Sequence, residues 1–149
     1  MTLRPTHTAS PIDDALRAFG DAAALAIAQA YAVPAPAVAF EAPRRADFGD
    51  FATNVAFSLA KTARQSPQAV AAALVDDLRR RAPELDRSFS SIEAVAGFIN
   101  LRLAPRVWHS VLAQILREGE RFGARPSNGV RISLEFGSAN PTGPLVVVQ

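Results

Sequence analysis

The stretch Phe89-Ser90-Ser91-Ile92-Glu93-Ala94-Val95-Ala96-Gly97-Phe98-Ile99-Asn100-Leu101-Arg102-Leu103-Ala104-Pro105 decides the fold. Phe89 to Val95 and Gly97 to Leu103 read as two strands. In the second, period-two alternation puts Phe98, Asn100 and Arg102 on one face and Ile99, Leu101 and Leu103 on the other. Pro105 then opens a helix expected to reach about Phe122, with Gly123 as its C-terminal stop. Its apolar side is expected from Val107, Val111, Ile115 and Phe122, with Trp108 and Leu112 beside them.

Working upstream, Ser66-Pro67 caps a helix to about Arg81, with Val70, Leu74 and Leu78 on its inner face. The pattern before it predicts a helix over Phe51 to Arg64, preceded by a loop from Pro43 to Asp50 in which Gly49 supplies backbone freedom. Val38 to Glu41 reads as a short strand. Ser10-Pro11-Ile12-Asp13 starts the first helix, with Ser10 as N-cap. Ile12, Leu16, Phe19, Ala23, Ile27 and Tyr31 form its apolar face, and Val33-Pro34-Ala35-Pro36 stops it.

Downstream, Val130 to Phe136 reads as a strand, Gly137 to Pro144 as a polar turn, and Leu145 to Val148 as a further apolar run. The order α-β-α-α-β-β-α defines an α+β fold, helices packed on one side of a small sheet. The expected organisation is a flexible lead (1–10), a domain (11–123), a linker (124–129) and the truncated start of a second, Rossmann-like unit (130–149).

The chain has 149 residues, 49% of them hydrophobic, enough for a sizeable core without staples. Cysteine is absent, which excludes disulfides and thiolate metal sites. No apolar run approaches the roughly 18–20 residues that span a bilayer, and Met1 to Pro11 has no secretory h-region. The expectation is a cytoplasmic protein with no membrane partner. Net charge is only +2, but its placement is uneven. Residues 44–81 carry seven basic and four acidic groups, and residues 99–131 six and two. All the basic residues but Lys61 are arginine, the better fork for phosphate, although a GC-rich coding sequence explains that bias as well.

There is no Gly-rich phosphate loop. The two histidines, His7 and His109, lack metal-ligand spacing. Asp13-Asp14 and Asp76-Asp77 are helix neighbours that do not face each other, so neither is a catalytic dyad. Two places carry chemistry. On the strand through Phe98, a ring, an amide and a guanidinium recur at period two; they suit stacking on an unpaired base, reading its edge and holding phosphate. Packing of Phe98 into a core is the competing reading. The polar turn Ser138-Ala139-Asn140-Pro141-Thr142-Gly143-Pro144 follows an apolar strand, where open α/β sheets bind ligands; a simple Pro/Gly turn competes.

Three segments resemble one family in the same order. Asp47-Phe48-Gly49-Asp50-Phe51-Ala52-Thr53-Asn54 is similar to the "FGDYxxN" stretch of arginyl-tRNA synthetases, and Ala60-Lys61 and Ser66-Pro67-Gln68 fit the helix pair that follows it there. Ile92 to Leu101 resembles that family's "VEIAGPGFINIFL". Ile132 to Leu145 resembles "VEYVSANPTGPLHVGH", the start of its catalytic domain. The resemblance implies an α/β domain gripping the D-loop side of the tRNA elbow. Phe98 and Asn100 would contact a D-loop base, and Arg44, Arg45, Lys61, Arg64 and Arg102 are candidates for phosphate. It also implies that Ser138 and Asn140 hold the arginine substrate in an enzyme that uses ATP, with Mg, to esterify arginine to tRNA.

The sequence departs from the family after Leu145. Val146-Val147-Val148-Gln149 stands in place of a histidine-bearing ATP motif. A valine side chain donates no hydrogen bond to phosphate. The expectation is the N-terminal part of an arginine–tRNA ligase, inactive as this chain alone and holding no cofactor itself. It is expected to be a monomer that binds tRNA, with arginine and ATP engaged only by a full catalytic domain. A stand-alone RNA-binding module and a non-RNA interaction domain remain the alternatives.

Overall fold

Ser10 starts the first helix, α1 (Pro11–Tyr31). Its Oγ accepts from the Ile12 N–H at 3.3 Å, and Asp13 Oδ2 accepts from the Ser10 N–H at 3.3 Å. This reciprocal capping satisfies donors that every helix start leaves free. The helix ends at Ala32, with a left-handed φ of 51°, two residues before Pro34. The computed structural model describes residues 9–34, 36–124 and 129–135. The expectations placed on residues 1–8, 125–128 and 136–149, including Ser138, Asn140 and Val146 to Gln149, lie outside the described residues.

After α1 come a 3-10 turn (Ala46–Phe48), β1 (Phe51–Thr53), α2 (Val55–Ala63), α3 (Pro67–Arg81), a second 3-10 turn (Pro83–Arg87), β2 (Phe89–Val95), β3 (Phe98–Leu103) and α4 (Pro105–Glu118). The three strands form an antiparallel sheet in the order β1-β3-β2. The anticipated order of elements therefore holds, but one strand moves. Val38 to Glu41 is not a strand; only Glu41 bridges, exchanging two backbone hydrogen bonds of 2.9 and 2.8 Å with Ala52. The strand lies instead at Phe51–Thr53, where a helix start is expected. Three residues cannot show a period, and what decides them is pairing with Ile99, Asn100 and Leu101, far along the chain.

A turn through Ala96 (φ 50°) and Gly97 (φ 89°) joins β2 to β3, with Val95 opposite Phe98. Two consecutive positive φ values match the twist of the flanking strands. One sheet face carries Ile92, Ile99, Leu101 and Leu103 into the core with Phe19, Ile27, Leu59, Val70, Leu74 and Leu78 from the helices. Phe19 meets Phe40 and Phe89 edge-on, at 6.0 and 5.8 Å between ring centroids. The inner face anticipated for α3 is the one observed. All these elements lie in one compact unit, Thr8–Phe122.

The Phe48-Gly49-Asp50 loop is clamped to β3. Gly49 has φ 108°, and a Cβ there would stand 2.6 Å from the Leu101 carbonyl oxygen. Asp50 N–H donates to that oxygen at 2.8 Å, and Asp50 Oδ2 accepts from Leu103 N–H at 2.8 Å. The FGD sequence is thus a backbone fastener that fixes β1 beside β3.

The fourth helix departs from expectation at its face and its end. It turns Val107 and Gln114 inward, with Val111 half-buried, and leaves Trp108, Leu112, Ile115 and Leu116 exposed. It stops at Gly119 rather than Gly123, because the first glycine already leaves the helical φ, and a 3-10 turn (Gly119–Arg121) follows. Residues 130–135 form no strand; Val130, Ile132 and Leu134 are all exposed. A period-two apolar pattern sets which face a strand would bury, not whether the segment becomes one.

Candidate nucleic-acid interface

The sheet face away from the core carries Phe98, Asn100 and Arg102. Asn100 lies in the central strand, between Ala52 of β1 and Glu93 of β2. It is only 7% exposed, yet its side-chain amide bonds to no described residue. Its amide atoms are not among the sealed, unpartnered ones, which are Thr53 Oγ1 and Gln114 Oε1. An amide this deep, open at its tip and free of partners, is ready to exchange hydrogen bonds with an entering group.

Phe98 is half-buried, and its ring packs against Phe57 of α2 at 5.0 Å between centroids, tilted by 59°. Arg102 is exposed and donates from Nη2 to the Asp47 carbonyl at 2.9 Å. Arg45 comes to the same loop: its guanidinium binds both Asp47 carboxylate oxygens, at 3.0 and 2.6 Å, and lies 5.2 Å over the Phe48 ring. Hydrogen bonding from Arg45 holds the Asp47 carboxyl below its usual range. Arg45 and Arg102 thus brace the loop beside β3, and both remain exposed.

Arg44, Lys61 and Arg64 are also exposed and make no ion pair with a described residue. Lys61 lies in the last turn of α2 and Arg64 is its left-handed C-cap, φ 52°. The structure therefore brings Phe98 and α2 together through Phe57, and gathers Arg45 and Arg102 at Asp47. Sequence reading passed over Phe57. Its available signal was an aromatic four residues before the chain's one lysine, which puts both on one side of a helix.

Elsewhere, an open groove of about 310 Å³ runs between α3 and β2, lined by residues including Asp76, Arg79 and Glu93. Arg79 occupies its wall, pairing with Asp76 at 3.6 Å and donating to the Ile92 carbonyl at 3.2 Å. His109 is exposed on α4. Among the described residues no acidic or histidine cluster could hold a metal ion, and no helix is long and apolar enough to cross a membrane.

Among the described residues, a partly exposed aromatic pair, an amide with no hydrogen-bond partner and cations outside any ion pair thus lie on one small α+β unit. Comparison with known proteins gives the class. The family described as the arginyl tRNA synthetase N terminal domain matches residues 10–103. The chain belongs to the arginyl-tRNA synthetase family, through that N-terminal domain. It is 45% identical over 128 residues to the arginine–tRNA ligase of Leptothrix cholodnii, covering 84% of this chain and 23% of that one. Against the Methylorubrum extorquens ligase it is 46% identical over 110 residues, 74% of this chain and 18% of that. The Thermus thermophilus arginyl-tRNA synthetase structure matches 68% of this chain and 15% of that one, with TM-score 0.50 and 30% identity. The chain thus spans about a fifth of the length of these curated relatives.

Proposed function

We propose that this domain binds the elbow of arginine-accepting tRNA through an unpaired D-loop base, within an enzyme that esterifies arginine to that tRNA. The observation that carries the reading is Asn100: a central-strand amide, 7% exposed, whose side chain bonds to no described residue. Phe98 stacks on the base, the Asn100 amide reads its edge, and Arg44, Arg45, Lys61, Arg64 and Arg102 are the groups that hold phosphates. The arrangement supports positioning: by holding the elbow, the domain fixes the orientation of a rigid tRNA, so that its acceptor end reaches a distant site.

Arginine binding by Ser138 and Asn140 belongs to the same proposal. ATP with Mg is the energy source that the relatives' ligase chemistry needs. The donor set of this chain does not fit it, since Val146-Val147-Val148-Gln149 offers neither imidazole nor cation, and no adenylation step is assigned to it. The protein by itself is expected to show no arginine-dependent ATP–pyrophosphate exchange.

The test is a tRNA-binding titration at several salt concentrations. Affinity is expected to fall linearly on a log–log plot as phosphate contacts displace counterions. Phe98→Ala, checked as folded, is expected to weaken binding by about 1–3 kcal/mol. Unchanged affinity in the folded variant, or binding indifferent to salt, refutes the proposal.

A further inference from the structure

We infer that Phe57 is the outer ring of a two-ring stacking platform, and that the unpaired base meets Phe57 together with Phe98. This rests on the tRNA-binding reading above and adds to it a residue and a geometry. Phe57 points away from the core that its helix neighbours Val55, Ala56 and Leu59 enter, and it is 45% exposed, whereas Phe98 is half-buried behind it. An isolated exposed phenylalanine carries no message. This one is seated.

Its ring rests on the β2–β3 turn. A Cβ on Gly97 would approach Phe57 Cζ to 2.8 Å and Pro67 Cβ to 2.9 Å, so the bare backbone of glycine makes the seat. The rings of Phe57 and Phe98 are 5.0 Å apart. Holding a base between two rings needs about 7 Å, twice a carbon–carbon contact distance. The base therefore does not enter between them; because the rings are tilted by 59°, it stacks on the exposed face of one and meets the other at its edge. Lys61, one helical turn beyond Phe57 and in no ion pair with a described residue, stands where the phosphate of a stacked nucleotide can reach it. An aromatic surface with an adjacent free cation is the chemistry that binds a nucleotide of a single-stranded loop.

The experiment compares Phe57→Ala, Phe57→Leu and Phe57→Trp with Phe98→Ala and Asn100→Ala in tRNA titrations, each variant checked for folding by circular dichroism. Phe57→Ala and Phe57→Leu are expected to weaken binding about tenfold, and Phe57→Trp to retain it. Their salt slope is expected to match that of the parent, whereas Lys61→Ala lowers the slope by about 1. In a Trp108→Phe background, the indole placed by Phe57→Trp is the chain's only one, and its fluorescence is expected to be quenched by tRNA. Full binding by folded Phe57→Leu, or an indole that tRNA leaves unquenched, overturns the inference. If Phe98→Ala and Asn100→Ala lose binding while the Phe57 variants keep it, the inference falls and the tRNA reading stands. If none loses binding, the reading itself falls.

Discussion

Replacing Gly49 by alanine tests whether the FGD loop is the fastener of the sheet. Gly49 has φ 108° and ψ −161°, a region essentially closed to residues with a side chain, and occupying it costs about 1–3 kcal/mol. The new Cβ would stand 2.6 Å from the Leu101 carbonyl oxygen and 3.0 Å from its carbon, so backbone must yield. The yielding loosens the bond from Asp50 N–H to that oxygen, worth about 0.5–1.5 kcal/mol. It also loosens the charge-assisted bond from Leu103 N–H to the Asp50 carboxylate, worth about 1.5–3 kcal/mol. Together these give a loss of about 3–7 kcal/mol, against the 5–15 kcal/mol that holds a typical domain. Urea unfolding followed by circular dichroism reads it directly. Asp50→Asn, which keeps the glycine and weakens only the carboxylate's bond, is expected to lose about 1–2 kcal/mol. A Gly49→Ala variant within about 1 kcal/mol of the parent would show that the FGD loop does not fasten the sheet. The fastener bears on the proposed tRNA contact because it fixes β1 beside β3, and so Ala52 beside Asn100.

Other expectations are briefer. Thr53 is 1% exposed and its hydroxyl has no partner, so Thr53→Val, of equal shape, should raise stability by about 1 kcal/mol in the same urea assay. Gln114 is 4% exposed with an unpartnered Oε1, its Nε2 donating only to Glu118, so Gln114→Leu should also stabilise by about 1 kcal/mol. Asp77 is held below the usual carboxylate range, first by its hydrogen bond from Arg81, then by that from Arg80. A depressed carboxyl contributes stability above its unfolded value of 3.8 and loses it as pH falls through the lower folded value. Thermal scans should therefore show a fall in Tm at acid pH that is shallower in Asp77→Asn than in the parent.

Local chemistry was legible in the sequence, and long-range choices were not. Ser10-Pro11 and Ser66-Pro67 place two helix starts because capping is settled by the residues themselves. The faces of α3 and β3 follow from period alone: Val70, Leu74 and Leu78 recur every four residues, and six positions from Phe98 to Leu103 alternate. Phe51–Thr53 escaped because its state depends on a partner strand far along the chain, and Val38 to Glu41 lost its strand because only Glu41 finds a mate. The outward stripe of α4 escaped for a related reason: Trp108, Leu112 and Ile115 and the inward Val107 and Val111 share one broad apolar arc, and packing against α1 selects which edge is buried. At the candidate site, the alternation showed that Phe98 and Asn100 share a face. It could not show that Asn100 is buried without a partner, nor that Phe57 arrives from another element to sit on Gly97.

The contact on which the proposed function turns is that of Asn100 with a D-loop base. A double-mutant cycle tests it most directly: parent and Asn100→Ala protein, each titrated with arginine tRNA carrying its natural unpaired D-loop base and with the same tRNA lacking that base. Removing the base is expected to weaken binding to the parent about tenfold or more, and to weaken Asn100→Ala distinctly less, because only the stacking is left for that variant to lose. Equal losses for both proteins, or no loss for the parent, would contradict it.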